Sequence, residues 1–73
     1  MKYKIGDYIQ IISPDYDDKF IGDVCVVIEI RDIYEYPYRC KYLYNHPYGY
    51  DSDMFRDREI RRLNKDEAMV ELL

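Results

Sequence analysis

The side chains capable of covalent chemistry are few and badly placed for it. The single histidine, His46, sits before Pro47 in a polar run. A nucleophilic site would need its ring held against Ser13, Ser52 or a cysteine by a third group. Ser52 is the near candidate in sequence, and nothing around it reads as a rigid nucleophile turn. A structural zinc site takes four ligands, and Cys25, Cys40 and His46 do not have knuckle spacing. Asp15, Asp17 and Asp18 begin a calcium-loop pattern but lack the alternate spacing, glycine and distal glutamate that would complete it. The three glycines, Gly6, Gly22 and Gly49, are too scattered to cradle a phosphate. The sequence therefore predicts no catalytic residue, no metal and no cofactor, and points to binding instead of turnover.

Three binding chemistries are legible. Ten tyrosines and no tryptophan in 73 residues is the strongest compositional bias. Tyr16, Tyr34, Tyr36, Tyr48 and Tyr50 fall in loops, with Asp17 and Asp18 beside the first. Together they offer an aromatic and acidic surface for a basic or proline-rich segment of another protein. The plainer role for these rings is to cover the ends of a small core. A second set, Arg56, Arg58, Arg61, Arg62 and Lys65, could follow the backbone of single-stranded nucleic acid. Against that stand the interleaved Asp57, Glu59 and Asp66, which make an ordinary mixed-charge surface, and a net charge of −4, which repels phosphate. Third, Asp15, Asp17, Asp18, Asp23, Asp51 and Asp53 crowd the loops, as in a small acidic inhibitor filling a basic groove.

These side chains must be positioned by strands. Tyr8–Ile12 reads as the first strand, with Ile9 and Ile11 inward and Tyr8 and Gln10 outward, and Ile12 breaking the alternation. Gly6-Asp7 and Gly22-Asp23 are turn signals. Residues 24–31 are apolar on both faces at first and alternate only later, as in a strand that bends to serve two sheets. Tyr36-Pro37 forces an extended lead into the next strand. There Tyr38, Cys40, Tyr42 and Tyr44 share one face, and Arg39 and Lys41 the other. The hairpin from Gly22 to Tyr44 is the densest apolar material in the chain. Met54-Phe55 reads as a brief fourth strand, Arg56–Glu59 as one tight turn, and Ile60–Leu63 as a closing strand. Asn64 with Glu67 has capping-box spacing for a short C-terminal helix. The register of the long hairpin sets Cys25 nearer Tyr42 or Leu43 than Cys40, which predicts two free, buried thiols.

The result is an all-β domain: a five-stranded barrel of the SH3-like kind over residues 1–63, with a helical tail over 64–73. The run Gly6-Asp7-x-Ile9-x-Ile11, Gly22 before a valine-rich strand, Tyr36-Pro37-Tyr38-x-Cys40-x-Tyr42, Phe55 and Glu59-Ile60 resembles the SH3-like group that contains the photosystem I stromal accessory subunit and the variable chain of ferredoxin–thioredoxin reductase. The tandem KOW-type barrels are similar at a greater distance. The resemblance spans residues 5–63. It implies architectural roles for Gly6, Gly22, Tyr36, Pro37 and Phe55, and an accessory or binding role for the domain. The acidic balance departs from a basic ferredoxin-docking face, so no electron-transport role is carried over.

So short a chain buries only about 60% of its unfolded surface, which leaves little room for an enclosed site. No apolar run reaches the roughly 18 residues of a membrane span. Strand-like sequence follows Met1-Lys2-Tyr3-Lys4 with no signal-peptide core, which predicts a cytoplasmic protein. The apolar tail Ala68, Met69, Val70, Leu72 and Leu73 must dock on its own domain or on a partner, and in the second case it supports a dimer.

Overall fold

The computed structural model describes residues 2–15, 21–43, 49 and 51–72, with residues 71 and 72 described as backbone alone. Five antiparallel strands form one sheet: β1 (Tyr8–Ile11), β2 (Val24–Ile30), β3 (Tyr38–Tyr42), β4 (Ser52–Phe55) and β5 (Ile60–Leu63). A 3-10 turn, Asp57–Glu59, joins β4 to β5, and helix α1, Lys65–Leu72, follows. The spatial order is β4-β3-β2-β1-β5. Each sequential pair from β1 to β4 is a neighbour, and β5 returns to lie beside β1. Among the described residues β4 and β5 are the two edges, with no ladder between them. The strand content foreseen in the sequence is present, as one open sheet. No helix among the described residues is long and apolar enough to cross a membrane.

Period-two alternation sets the core, and β1 follows it. Ile9 and Ile11 are fully buried, whereas Tyr8 and Gln10 are half-buried. On β3, Tyr38, Cys40 and Tyr42 point inward. The long strand β2 obeys the same rule until the register shifts between Val27 and Glu29. That irregularity leaves Ile28 exposed and lets Ile30 rejoin the core, the usual effect of an extra residue on one strand. The double-sided apolar character of the first half has a second cause. Cys25 and Val27 fill the main core, while Val24 packs on the opposite face with Leu63 and Ala68 of α1. The helix covers the outer face of the sheet just where that face is apolar.

The turns form where the sequence marks them. Gly6 and Gly22 have φ of 94° and 92°, a region that side chains with a Cβ avoid. Their amides bond across to Val27 and Ile11 carbonyls, which anchors both ends of β1 against its neighbours. At α1, the Glu67 amide donates to Asn64 Oδ1 at 2.7 Å and the Asn64 amide to Glu67 Oε1 at 3.2 Å, a reciprocal cap. The helix docks through Ala68, while Met69 and Val70 remain exposed.

Tyr3, ahead of the first strand, belongs to the core. Its ring is buried, meets Tyr38 edge-on at 5.1 Å and 74°, and its hydroxyl donates to the Ile60 carbonyl at 2.9 Å. The Tyr38 hydroxyl in turn accepts from the Lys2 and Tyr3 amides at 3.1 and 3.3 Å. Two buried tyrosines each find a partner for the polar tip, as burial of that group requires. Cys25 pairs with Tyr42, and Cys40 with Val27. The thiols are therefore diagonal neighbours on the inner face, both free and buried. Burial pushes both thiols well up, Cys40 to about 12. The charge of Asp53 adds to each, with Cys40 and Asp23 adding at Cys25 and Glu59 at Cys40. Neither is a nucleophile at neutral pH.

A candidate binding trough on the 3-10 turn

Glu59 holds this end of the molecule together. It ends the 3-10 turn and is 2% exposed. Its Oε1 accepts from the Arg56 amide at 2.8 Å, closing the turn on itself, and its Oε2 accepts from the Asp15 amide at 2.9 Å. Its backbone carbonyl takes the Ile12 and Ser13 amides at 2.9 and 3.1 Å. One residue thus ties the end of β1 to the turn before β5. A carboxyl side chain is buried here because two backbone amides, one from the turn and one from Asp15, satisfy both of its oxygens.

Above that tether, three chain segments meet at the Asp15 carboxylate. The Tyr36 hydroxyl donates to Oδ2 at 3.0 Å. Arg58 Nη2 reaches Oδ1 and Oδ2 at 3.2 and 3.3 Å, and Arg56 Nε lies 3.2 Å from Oδ2. The Arg56 guanidinium also stacks 4.4 Å from the centre of the Tyr36 ring and bonds Glu35. Partial desolvation pushes the Asp15 carboxyl up. The Tyr36 hydroxyl, the Arg58 hydrogen bond and the charges of Arg58 and Arg56 outweigh it and hold the group below its ordinary value.

That direction fixes a pH dependence. A carboxyl with a folded pKa below its unfolded one contributes fully above the unfolded value, about 3.9 for Asp. The contribution is lost as pH falls through the lower, folded value. Asp15→Asn removes it. Thermal melts followed by circular dichroism are expected to show the variant below wild type at neutral pH, with the gap closing on acidification below about pH 4. A gap that does not vary with pH would show that the clamp contributes no linked proton. Glu29, held low by hydrogen bonds from Arg31 and then Arg39, stays intact in both proteins and keeps a shared acid limb.

The clamp borders an open depression of about 530 Å³. Tyr34, Glu35 and Pro37 form one wall and Arg56, Asp57 and Arg58 the other. A second depression of about 360 Å³ shares Lys2, Asp57 and Arg58 and continues along Ile60, Arg61 and Arg62. The two adjoin at those shared residues, and the pair, called the trough below, lies along the 3-10 turn and the edge strand β5.

The structure brings together residues that the sequence assigned to competing roles. Tyr36, grouped with the protein-binding tyrosines, is bonded into the same cluster as Arg56 and Arg58 of the basic set. Tyr34 is 50% exposed on the trough wall, with the Arg31 guanidinium 5.8 Å from its ring centre. Tyr16, Asp17, Asp18, Tyr48 and Tyr50 lie outside the described residues, as does His46. Arg61 bonds the Gln10 side chain at 2.7 and 3.0 Å and pairs with Glu67 at 3.5 Å. Arg62 pairs with Asp7 at 3.2 Å and donates to the Lys2 carbonyl. Lys65 begins α1, away from the trough. Of the aspartates expected in loops, Asp53 lies instead on β4, opposite Cys40; Asp51 and Asp53 are exposed, Asp23 is half-buried, and Asp15 is spent on the clamp. Asp15 as a fixed internal partner of two arginines was missed in the sequence, as was buried Glu59. The Arg56-x-x-Glu59 spacing, a self-closing turn, was the available signal for the second. Among the described residues no three histidine, cysteine or carboxylate side chains converge as a metal site. No protein-family model matches the chain, and no curated protein matches it significantly.

Proposed function

We propose that the chain is a non-catalytic binding module of SH3-like barrel type that receives a segment of another protein in the trough on its 3-10 turn. The order β4-β3-β2-β1-β5, with a 3-10 turn leading into β5, agrees with the barrel reading. The observation that carries the function is the trough itself. It is open, walled by an exposed aromatic ring and by side chains that are already fixed by the Asp15 clamp, and placed between two loops and an edge strand. Preorganised walls lower the entropy lost on docking. The nucleic-acid alternative has less to work with: Arg58, Arg61 and Arg62 each have a carboxylate within ion-pair distance, so fewer counterions would be released on contact with phosphate.

The test is affinity capture from native host lysate on the immobilised domain, with nuclease treatment in a parallel sample and with a Tyr34→Ala, Arg58→Gln variant as control. A protein retained by wild type, unaffected by nuclease and lost with the variant is the expected result. Retention that disappears with nuclease would overturn it.

A further inference from the structure

The trough has a charge character that the chain as a whole does not. Among the described residues its lining includes five cations, Lys2, Arg56, Arg58, Arg61 and Arg62, against two carboxylates, Glu35 and Asp57, and the four arginines are paired with Asp15, Glu35, Glu67 and Asp7, with which an incoming carboxylate must compete. The chain carries a net −4. At its centre, Arg56, Arg58 and the Tyr36 hydroxyl converge on one carboxylate, contributed by the protein itself. Such a donor set suits carboxylate geometry. The hold on Asp15 is divided. Its backbone amide is fixed separately on Glu59, a bond that does not involve the side chain.

We propose that the trough binds an extended acidic segment of the partner protein, and that the Asp15 side chain occupies the arginine pair as an internal stand-in which a carboxylate of that segment displaces. This rests on the binding-module reading and narrows it to one partner chemistry. The rings argue against single-stranded nucleic acid as the occupant. Base stacking needs an open aromatic face. Tyr3 and Tyr38 are buried, and Arg56 covers a face of Tyr36. Tyr34 is the one exposed ring on the described walls. An internal competitor also lowers apparent affinity by the fraction of molecules in which the site is open.

Fluorescence anisotropy with three labelled probes tests this: a short Glu/Gly peptide, a Lys/Gly peptide of equal length, and an oligothymidylate. At low salt the Glu/Gly peptide is expected to bind wild type, to bind Asp15→Asn at least about threefold more tightly, and to bind the exposed pair variant Arg61→Gln, Arg62→Gln about tenfold more weakly. The amide proton spectrum of each variant confirms its fold, and the Arg61/Arg62 variant tests the proposal even if Asp15→Asn does not fold. Unchanged affinity in Asp15→Asn would overturn the displacement. Binding of the Lys/Gly peptide alone would overturn the acidic partner and leave the module reading standing. Binding of the oligonucleotide alone would overturn both, and binding of no probe would overturn the proposal while the lysate capture still judges the module.

Discussion

Replacing Glu59 with alanine is expected to lower the unfolding free energy by up to about 2–6 kcal/mol, since two part-buried backbone donors each lose their acceptor, a loss of about 1–3 kcal/mol apiece where water does not replace it. Small domains have about 5–15 kcal/mol in total, so the loss is a large share of the stability and should lower the urea midpoint markedly. The amides concerned are those of Asp15 and Arg56, bonded at 2.9 and 2.8 Å. The Asp15 carboxylate is itself committed to Arg56 and Arg58. Glu59→Gln keeps one acceptor oxygen and should fall between the two. Urea titration followed by tyrosine fluorescence is the measurement. A midpoint for Glu59→Ala equal to wild type would mean that water satisfies those amides and that the tether is incidental.

Tyr3→Ala should cost about 3–5 kcal/mol, the range for deleting a buried aromatic ring. Tyr3→Phe should cost only about 0.5–1.5 kcal/mol, the net worth of one hydrogen bond. The contrast separates the packing of the ring on Tyr38 from the bond of its hydroxyl to Ile60. The same urea titration reads both. Equal effects of the two substitutions would show that the hydroxyl, not the ring, seals this end of the core. The prediction has reach because the segment looks expendable: Tyr3 stands between two exposed lysines, and Ile5, the more hydrophobic neighbour, is exposed.

That contrast shows where sequence was sufficient. Ile9, Ile11, Tyr38, Cys40 and Tyr42 announce their inward face through alternation, and the Asn64–Glu67 cap through spacing. These are local rules acting over two to four residues. Cys25 opposite Tyr42 follows from a turn and a register. Tyr3 and Glu59 obey no local period. One is buried by a strand from the far end of the chain, and the other by an amide forty-four positions away. The Asp15 clamp is hidden for the same reason. Its members come from three segments, and read singly each is an ordinary loop residue. The double-sided β2 was legible as an anomaly, but its cause was divided between a bend at Val27–Glu29 and a helix whose docking depends on one small residue, Ala68.

The pairing of β5 with β1 has a further consequence, for the order of events as the chain folds. The β2–β3 and β3–β4 ladders join neighbours in sequence, whereas β1–β5 joins opposite ends. Distant closure carries the larger loop entropy and comes after local contacts have formed. Tyr3, Ile60 and Glu59 all lie at that late junction. Damage there should leave the rate of refolding nearly untouched and appear as faster unfolding, so that the lifetime of the native state is set at the seam where the chain's two ends meet.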